Sequence, residues 1–137
     1  MTSRKRPLAV LGAGSWGTAL AMLIARQDQP VLLWGHNPEH VAALKKERRN
    51  TRYLPDFKLP DPIIPTADLS SVATCARDFV ITVPSHAFRA TLRALGDVLP
   101  ECDHQYRFCW GTKGLEATSG KLLNQVFDEV IGQSTTR

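Results

Sequence analysis

Short apolar runs recur along the chain, separated by segments whose apolar residues follow helical spacing. Leu8–Leu11, Val31–Trp34 and Phe79–Val83 are continuous rather than alternating, as strands covered on both faces require. Tyr106–Trp110 predicts a further strand. Between them, Trp16–Arg26 is rich in Ala and Leu and predicts a helix. A second helix starts from Asn37 as its cap, with Pro38 at its first position, and runs towards Arg49. Leu69–Ala76 predicts a short helix. His86–Leu99 predicts a longer one, with Phe88, Leu92, Leu95 and Leu99 on one face, and Gly120–Ile131 a last one, with Leu122, Leu123, Val126, Phe127 and Val130 apolar. Tyr53–Pro65 holds Pro55, Pro60, Pro62 and Pro65, which excludes a long helix and predicts an extended loop with room for one short strand. Strands alternating with helices predict one α/β domain over residues 1–137, built on a doubly wound, mostly parallel sheet.

The first strand breaks into Gly12-Ala13-Gly14-Ser15-Trp16-Gly17, a G-x-G-x-x-G run that opens the first helix. In this strand-turn-helix setting the three glycines differ in steric role. Gly12 makes the tight turn, Gly14 admits a ligand to the backbone, and Gly17 lets helix and strand pack closely. The helix N-terminus at Ser15 and Trp16 offers unpaired amides and a favourable dipole to an anion, so the motif predicts a dinucleotide pyrophosphate there. An acidic residue often grips the adenosine ribose about 20 residues further on. That place is taken here by Gly35-His36-Asn37. A carboxylate would repel a 2′-phosphate, whereas His36 can donate a hydrogen bond to one, so NADPH is permitted beside NADH and a preference for it is open. Lys45, Lys46, Arg48, Arg49 and Arg52 form a basic cluster that is either a solvated face or within reach of that corner.

Three loops are expected at one rim, the C-terminal edge of the sheet: Gly12-Ala13-Gly14, Pro84-Ser85-His86 and Gly111-Thr112-Lys113-Gly114. Ligands bind at that edge in open α/β sheets. Ser85 reads as a helix N-cap rather than a nucleophile, because no G-x-S-x-G elbow surrounds it. His86 reads first as a surface or capping residue. Phe88 is either core or a neighbour of the nicotinamide end of a cofactor. Lys113 is the residue singled out for chemistry, since an ammonium at a strand end beside glycine can donate to an anionic or carbonyl ligand.

An apolar fraction of 43% is ordinary for a globular domain and gives no sign of disorder. The net charge of +4 raises nucleic acid as a partner, but the basic residues are spread out and no aromatic-rich basic motif accompanies them. Cys75, Cys102 and Cys109 lack C-x-x-C spacing and are odd in number, which argues against a zinc knuckle or disulfide framework; they are expected to be reduced and buried, and no metal site is expected. No apolar run approaches a membrane span. Arg4-Lys5-Arg6 leads into a strand rather than a signal-peptide core, so the cytoplasm is the expected location.

Gly12-Ala13-Gly14-Ser15-Trp16-Gly17-Thr18-Ala19, Leu33-Trp34-Gly35-His36-Asn37-Pro38-Glu39, Val83-Pro84-Ser85-His86 and Thr112-Lys113-Gly114-Leu115-Glu116 together resemble the bacterial NAD(P)-dependent glycerol-3-phosphate dehydrogenases over nearly the whole chain. The resemblance implies a Rossmann-type cofactor domain of a cytoplasmic, commonly dimeric enzyme. That enzyme interconverts dihydroxyacetone phosphate and sn-glycerol 3-phosphate with NAD(P)H, for glycerophospholipid synthesis. It implies cofactor contacts by Ser15, Trp16, His36 and Lys113, with Phe88 a weaker candidate, and a substrate contact by Lys113 as well. It also implies a second, mainly helical domain that carries the principal catalytic lysine, beyond Arg137. The family's next strand, with a serine-glycine-proline turn, would begin just past Gln133–Arg137. The 137 residues are therefore expected to be a shortened chain without a catalytic residue, which binds nucleotide with negligible turnover.

Two other readings share the glycine loop. One is the cofactor domain of another two-domain dehydrogenase, for hydroxy acids or ketopantoate, against which Thr112-Lys113-Gly114 argues. The other is a nucleotide-sensing module without enzymatic activity, which would need a partner surface or a DNA-reading helix; no helix-turn-helix signature is visible.

Overall fold

The structure, a computed structural model, describes residues 5–102 and 105–132; Arg4 and the terminal Gln133–Arg137 lie outside the described residues. Its centre is a five-stranded sheet in the order β5-β2-β1-β6-β7, formed by Leu8–Leu11 (β1), Val31–Trp34 (β2), Ile63–Thr66 (β5), Asp78–Ile81 (β6) and Arg107–Trp110 (β7). Every neighbouring pair in it is parallel. β1 lies between β2 and β6, with Leu11 opposite both Trp34 and Ile81. Its continuous apolar sequence follows from that place: side chains alternate between two faces, and both faces are covered.

Ala9 and Leu11 belong to one core with Phe79, Ile81 and the helices Leu69–Cys75 (α3), Ser85–Val98 (α4) and Leu123–Phe127 (α5). Val10 belongs to the opposite core with Val31, Leu33 and Ile63, covered by Ser15–Ala25 (α1) and Pro38–Glu47 (α2). In α4 the buried Phe88, Leu92 and Leu95 fall at helical spacing, which seats the helix on its sheet face. Asn37 caps α2 as its sequence predicts, its Oδ1 accepting from the amides of Glu39 at 3.0 Å and His40 at 3.3 Å.

The proline-rich stretch departs from expectation. Arg49–Asn50 (β3) and Leu54–Lys58 (β4) form an antiparallel hairpin, and β5 is a full member of the main sheet. β5 tolerates Pro65 because it is an edge strand with a ladder on one side only. α2 stops at Glu47 because Arg48 turns left-handed, with φ of 52°. The predicted last helix is also shorter: Gly120 has φ of 71°, α5 begins at Leu123, and Asp128–Gly132 continues it as a π-helical turn. Gln125 marks the start, its Oε1 accepting from the Leu122 amide at 2.9 Å.

Cys75, Cys102 and Cys109 form no disulfide among the described residues, and they are exposed where the sequence suggested burial. Cys75 ends α3 and Cys109 lies on β7, the other edge strand, so neither position is covered on both sides. Among the described residues no helix is long and apolar enough to cross a membrane.

Candidate functional site

The strand order reverses between β2-β1 and β1-β6, and at such a switch point the loops leaving two adjacent strands part and leave a crevice. A cleft of about 500 Å³ occupies that place. Gly12, Gly14, Ser15, Trp16, Gly17 and His36 all line it, so the sequence-predicted nucleotide residues from β1, α1 and β2 converge on one site.

Gly12 turns with φ of +128°, and a Cβ there would lie 2.6 Å from Thr82 Oγ1. A Cβ on Gly17 would lie 1.8 Å from the Gly12 carbonyl oxygen. These two glycines are therefore required by the protein's own packing. Gly14 is different. It caps α1 with φ of −80°, which any residue adopts, and a Cβ on it would meet no atom within 4 Å. The space it leaves open belongs to the cleft, at the N-terminus of α1. The first intrahelical bond of α1 runs from the Thr18 amide to the Gly14 carbonyl at 3.0 Å, and no side chain caps the helix. Its leading N–H groups and its dipole face the cleft without an acidic residue in the first turn, an arrangement suited to a pyrophosphate.

The loop is pinned from three directions, and two of the pins were not legible in the sequence. The Gly12 amide donates to Trp34 O at 2.9 Å, and Thr82, just past β6, donates through Oγ1 to the Leu11 and Gly12 carbonyls at 3.1 Å each. Asn50 is fully buried. Its Nδ2 donates to Ala13 O at 3.0 Å and to Thr18 Oγ1 at 2.8 Å, while its Oδ1 hydrogen-bonds with His40 Nε2 at 3.0 Å and accepts from the Tyr53 amide at 3.3 Å. One amide thus joins the glycine loop, α1, α2 and the β3–β4 turn. The only sequence signal for Thr82 was a polar residue interrupting Phe79–Val83; Asn50 sat unmarked in a polar run.

At the far rim the β7 loop meets the other two. The Trp16 indole is half exposed and lies against Gly111, where a Cβ would be 2.5 Å from its Nε1. Thr112 donates through Oγ1 to Val83 O at 2.7 Å, and Gly114, with φ of +95°, comes near Ser85 Oγ. Lys113 is exposed on this loop and does not line the cleft itself. Ser85 is the first residue of α4, not its cap; Pro84 holds the cap position and no side chain caps the helix. Phe88 is fully buried in the core, 5.6 Å from the Trp110 ring centroid, and does not line the cleft.

Just behind the Lys113 loop, Glu116 is buried between Arg89, whose Nε and Nη2 donate to it at 2.7 and 2.9 Å, and the Ser119 hydroxyl at 2.6 Å. Those bonds, Arg89 first, hold the Glu116 carboxyl down from 4.5 to about 2. Glu129 is lowered too, by Lys121 first and Arg89 second. The network fixes the far end of the β7 loop to α4 and the π-helical turn.

A parallel sheet in this order with a glycine loop opening a helix that has no side-chain cap defines a dinucleotide-binding domain of the doubly wound α/β class. Within that class the assignment is specific. Residues 7–136 match the family model for the N-terminus of NAD-dependent glycerol-3-phosphate dehydrogenase, and the chain belongs to that family. It is 49% identical over 126 residues to the glycerol-3-phosphate dehydrogenase (NAD(P)+) of Methylococcus capsulatus, a match covering 91% of this chain and 37% of that one. It is 46% identical over 132 residues to the enzyme of Edwardsiella ictaluri, covering 96% of this chain and 38% of the relative. Among solved structures, glycerol-3-phosphate dehydrogenase from Coxiella burnetii superposes with a TM-score of 0.86 at 40% identity, over 94% of this chain and 38% of that one. The chain therefore spans well under half the length of the relatives it matches.

Proposed function

We propose that this chain is the cofactor-binding part of an oxidoreductase that interconverts dihydroxyacetone phosphate and sn-glycerol 3-phosphate, using NAD(P)H, in the service of glycerophospholipid synthesis. The observation that carries the nucleotide half of the proposal is the open cradle at Gly14, ringed by glycines whose absence of a side chain the protein itself demands. When bound, the nicotinamide supplies or accepts hydride at the triose carbonyl carbon.

This chain's residues orient and bind. The amides at Ser15 and Trp16 hold the pyrophosphate, and the Trp16 indole covers the passage towards the β7 loop. His36, which lines the cleft at the end of β2, would meet the adenosine ribose of a bound nucleotide. Lys113 offers three N–H donors from the rim, to the cofactor and to the substrate anion, and the Thr112 bond to Val83 O keeps its loop beside the cleft. Family membership supports the substrate class, and with it a cytoplasmic, dimeric enzyme whose principal catalytic lysine lies outside these residues.

Titrating the 137-residue chain with NADH and NADPH, and assaying dihydroxyacetone phosphate reduction alongside, tests the proposal. Saturable binding of the nucleotides with negligible turnover is expected. Turnover comparable with a full-length dehydrogenase refutes the assignment of chemistry to residues elsewhere, and absence of binding by folded protein refutes the site.

A further inference from the structure

We propose that Arg52 selects the phosphorylated dinucleotide, its guanidinium standing where the 2′-phosphate of NADPH would lie; the inference rests on the nucleotide-binding reading above. Five basic residues lie between Lys45 and Arg52, and the structure separates them. Lys45 and Lys46 are exposed in the last turn of α2. Arg48 turns back and donates to Ile63 O at 2.8 Å and Pro60 O at 2.7 Å, and Arg49 donates to Pro55 O at 3.4 Å. Arg52 alone of the five lines the cleft.

It is held there. Its guanidinium carbon lies 5.1 Å from the Tyr53 ring centroid, and the Tyr53 ring stands edge-on to His40, 5.4 Å away, in the first turn of α2. The buried Asn50 accepts from the Tyr53 amide at 3.3 Å, so the shelf under Arg52 is tied to the same hub that positions the glycine loop. Through His40 this shelf reaches the start of α2, just past the end of β2, where a bound nucleotide presents its adenosine ribose.

The charge of this corner is one-sided. Among the described residues no Asp or Glu lines the cleft, and Arg52 pairs with no carboxylate. Asn37, which could have accepted from a ribose hydroxyl, has its Oδ1 committed to capping α2. An unphosphorylated ribose therefore finds no carboxylate acceptor here. A 2′-phosphate finds a planar fork of charged donors whose geometry matches phosphate oxygens, with the His36 ring N–H as a second donor.

The experiment compares dissociation constants for NADPH and NADH in wild type, Arg52→Ala and Arg52→Glu, followed by quenching of tryptophan fluorescence, with circular dichroism as the check on folding. Wild type is expected to bind NADPH more tightly. The preference should shrink by about tenfold or more in Arg52→Ala, the size of one charge-assisted hydrogen bond, and further in Arg52→Glu. In wild type, 2′,5′-ADP should displace NADPH at lower concentration than 5′-AMP. Equal weakening of both nucleotides puts the guanidinium on the adenine or pyrophosphate and overturns the proposal, as does an unmoved ratio. Should Arg52→Ala lose its fold, the same ratio is read in Arg52→Lys, where loss of the planar fork should still lower it. Wild-type protein that is folded but binds neither nucleotide overturns the broader nucleotide reading instead.

Discussion

Three glycines of one loop answer to different neighbours, and the difference can be measured. Gly17→Ala drives a methyl to 1.8 Å from the Gly12 carbonyl oxygen, backbone that cannot step aside cheaply. It is expected to lower stability by about 3 kcal/mol or more, the upper range for overpacking a tight contact, read as an earlier urea midpoint. Gly14→Ala meets open space at a backbone conformation that alanine adopts freely. It should leave stability unchanged or raise it by about 0.5 kcal/mol through the unfolded chain, while nucleotide affinity falls because the methyl fills the cradle. Unchanged affinity in a folded Gly14→Ala protein would remove the main support for the site. Phe88 shows the converse at the same scale: its place in the sequence suited a nicotinamide contact, but the register of α4 turns it wholly into the core.

At the scale of elements, the β3–β4 hairpin matters more than its two short strands suggest, because it delivers Asn50 into the space between α1 and α2. Replacing Asn50 by Ala leaves the Ala13 carbonyl and the His40 ring without this partner. A loss of about 2 kcal/mol is expected for such buried, unsatisfied groups, measured by denaturant unfolding. Nucleotide affinity should fall with it, since the glycine loop loses one of its pins. Asn50→Asp should be worse, because a carboxylate oxygen then faces the Ala13 carbonyl where an N–H had donated. A variant as stable as wild type would mean that the hub is incidental. The hairpin escaped prediction because prolines within Tyr53–Pro65 argue against regular structure locally, yet Pro55 sits in β4 and Pro65 in β5, both edge strands, a property of the assembled sheets.

Over the whole molecule, the two faces of the sheet are closed by different means. The α1–α2 side is tied by the Asn50 hub, and the α4–α5 side by the Arg89–Glu116–Glu129–Lys121 network behind the Lys113 loop. This second tie makes stability pH-dependent. Glu116 titrates near 4.5 unfolded but at about 2 when folded, so its contribution is fully present above the unfolded value and is lost as the pH falls from 4.5 towards 2. Glu129, also lowered, acts in the same direction. Glu116→Gln is expected to be less stable at neutral pH and to show a shallower fall in stability over that acid range, followed by urea midpoints at a series of pH values. Parallel profiles for the two proteins would show that the network contributes nothing to acid stability.

The amino-acid sequence by itself determined the period of each segment, the glycine loop and the cap at Asn37. These are local matters: which residues recur at helical spacing, where the backbone must turn without a Cβ, and which side chain reaches an amide two or three residues on. That was enough to read a parallel α/β sheet with an anion-binding helix start. What only the tertiary structure decided were the contacts across long separations. Asn50 reaches Ala13 over 37 residues and Thr82 reaches Leu11 over 71, and neither leaves a trace in local periodicity. The same holds for Arg52, which no pattern distinguished from its basic neighbours. A residue's own segment sets its backbone conformation, but which loop it faces depends on the order in which the strands assemble, and that order becomes physical only once both faces of the sheet are covered.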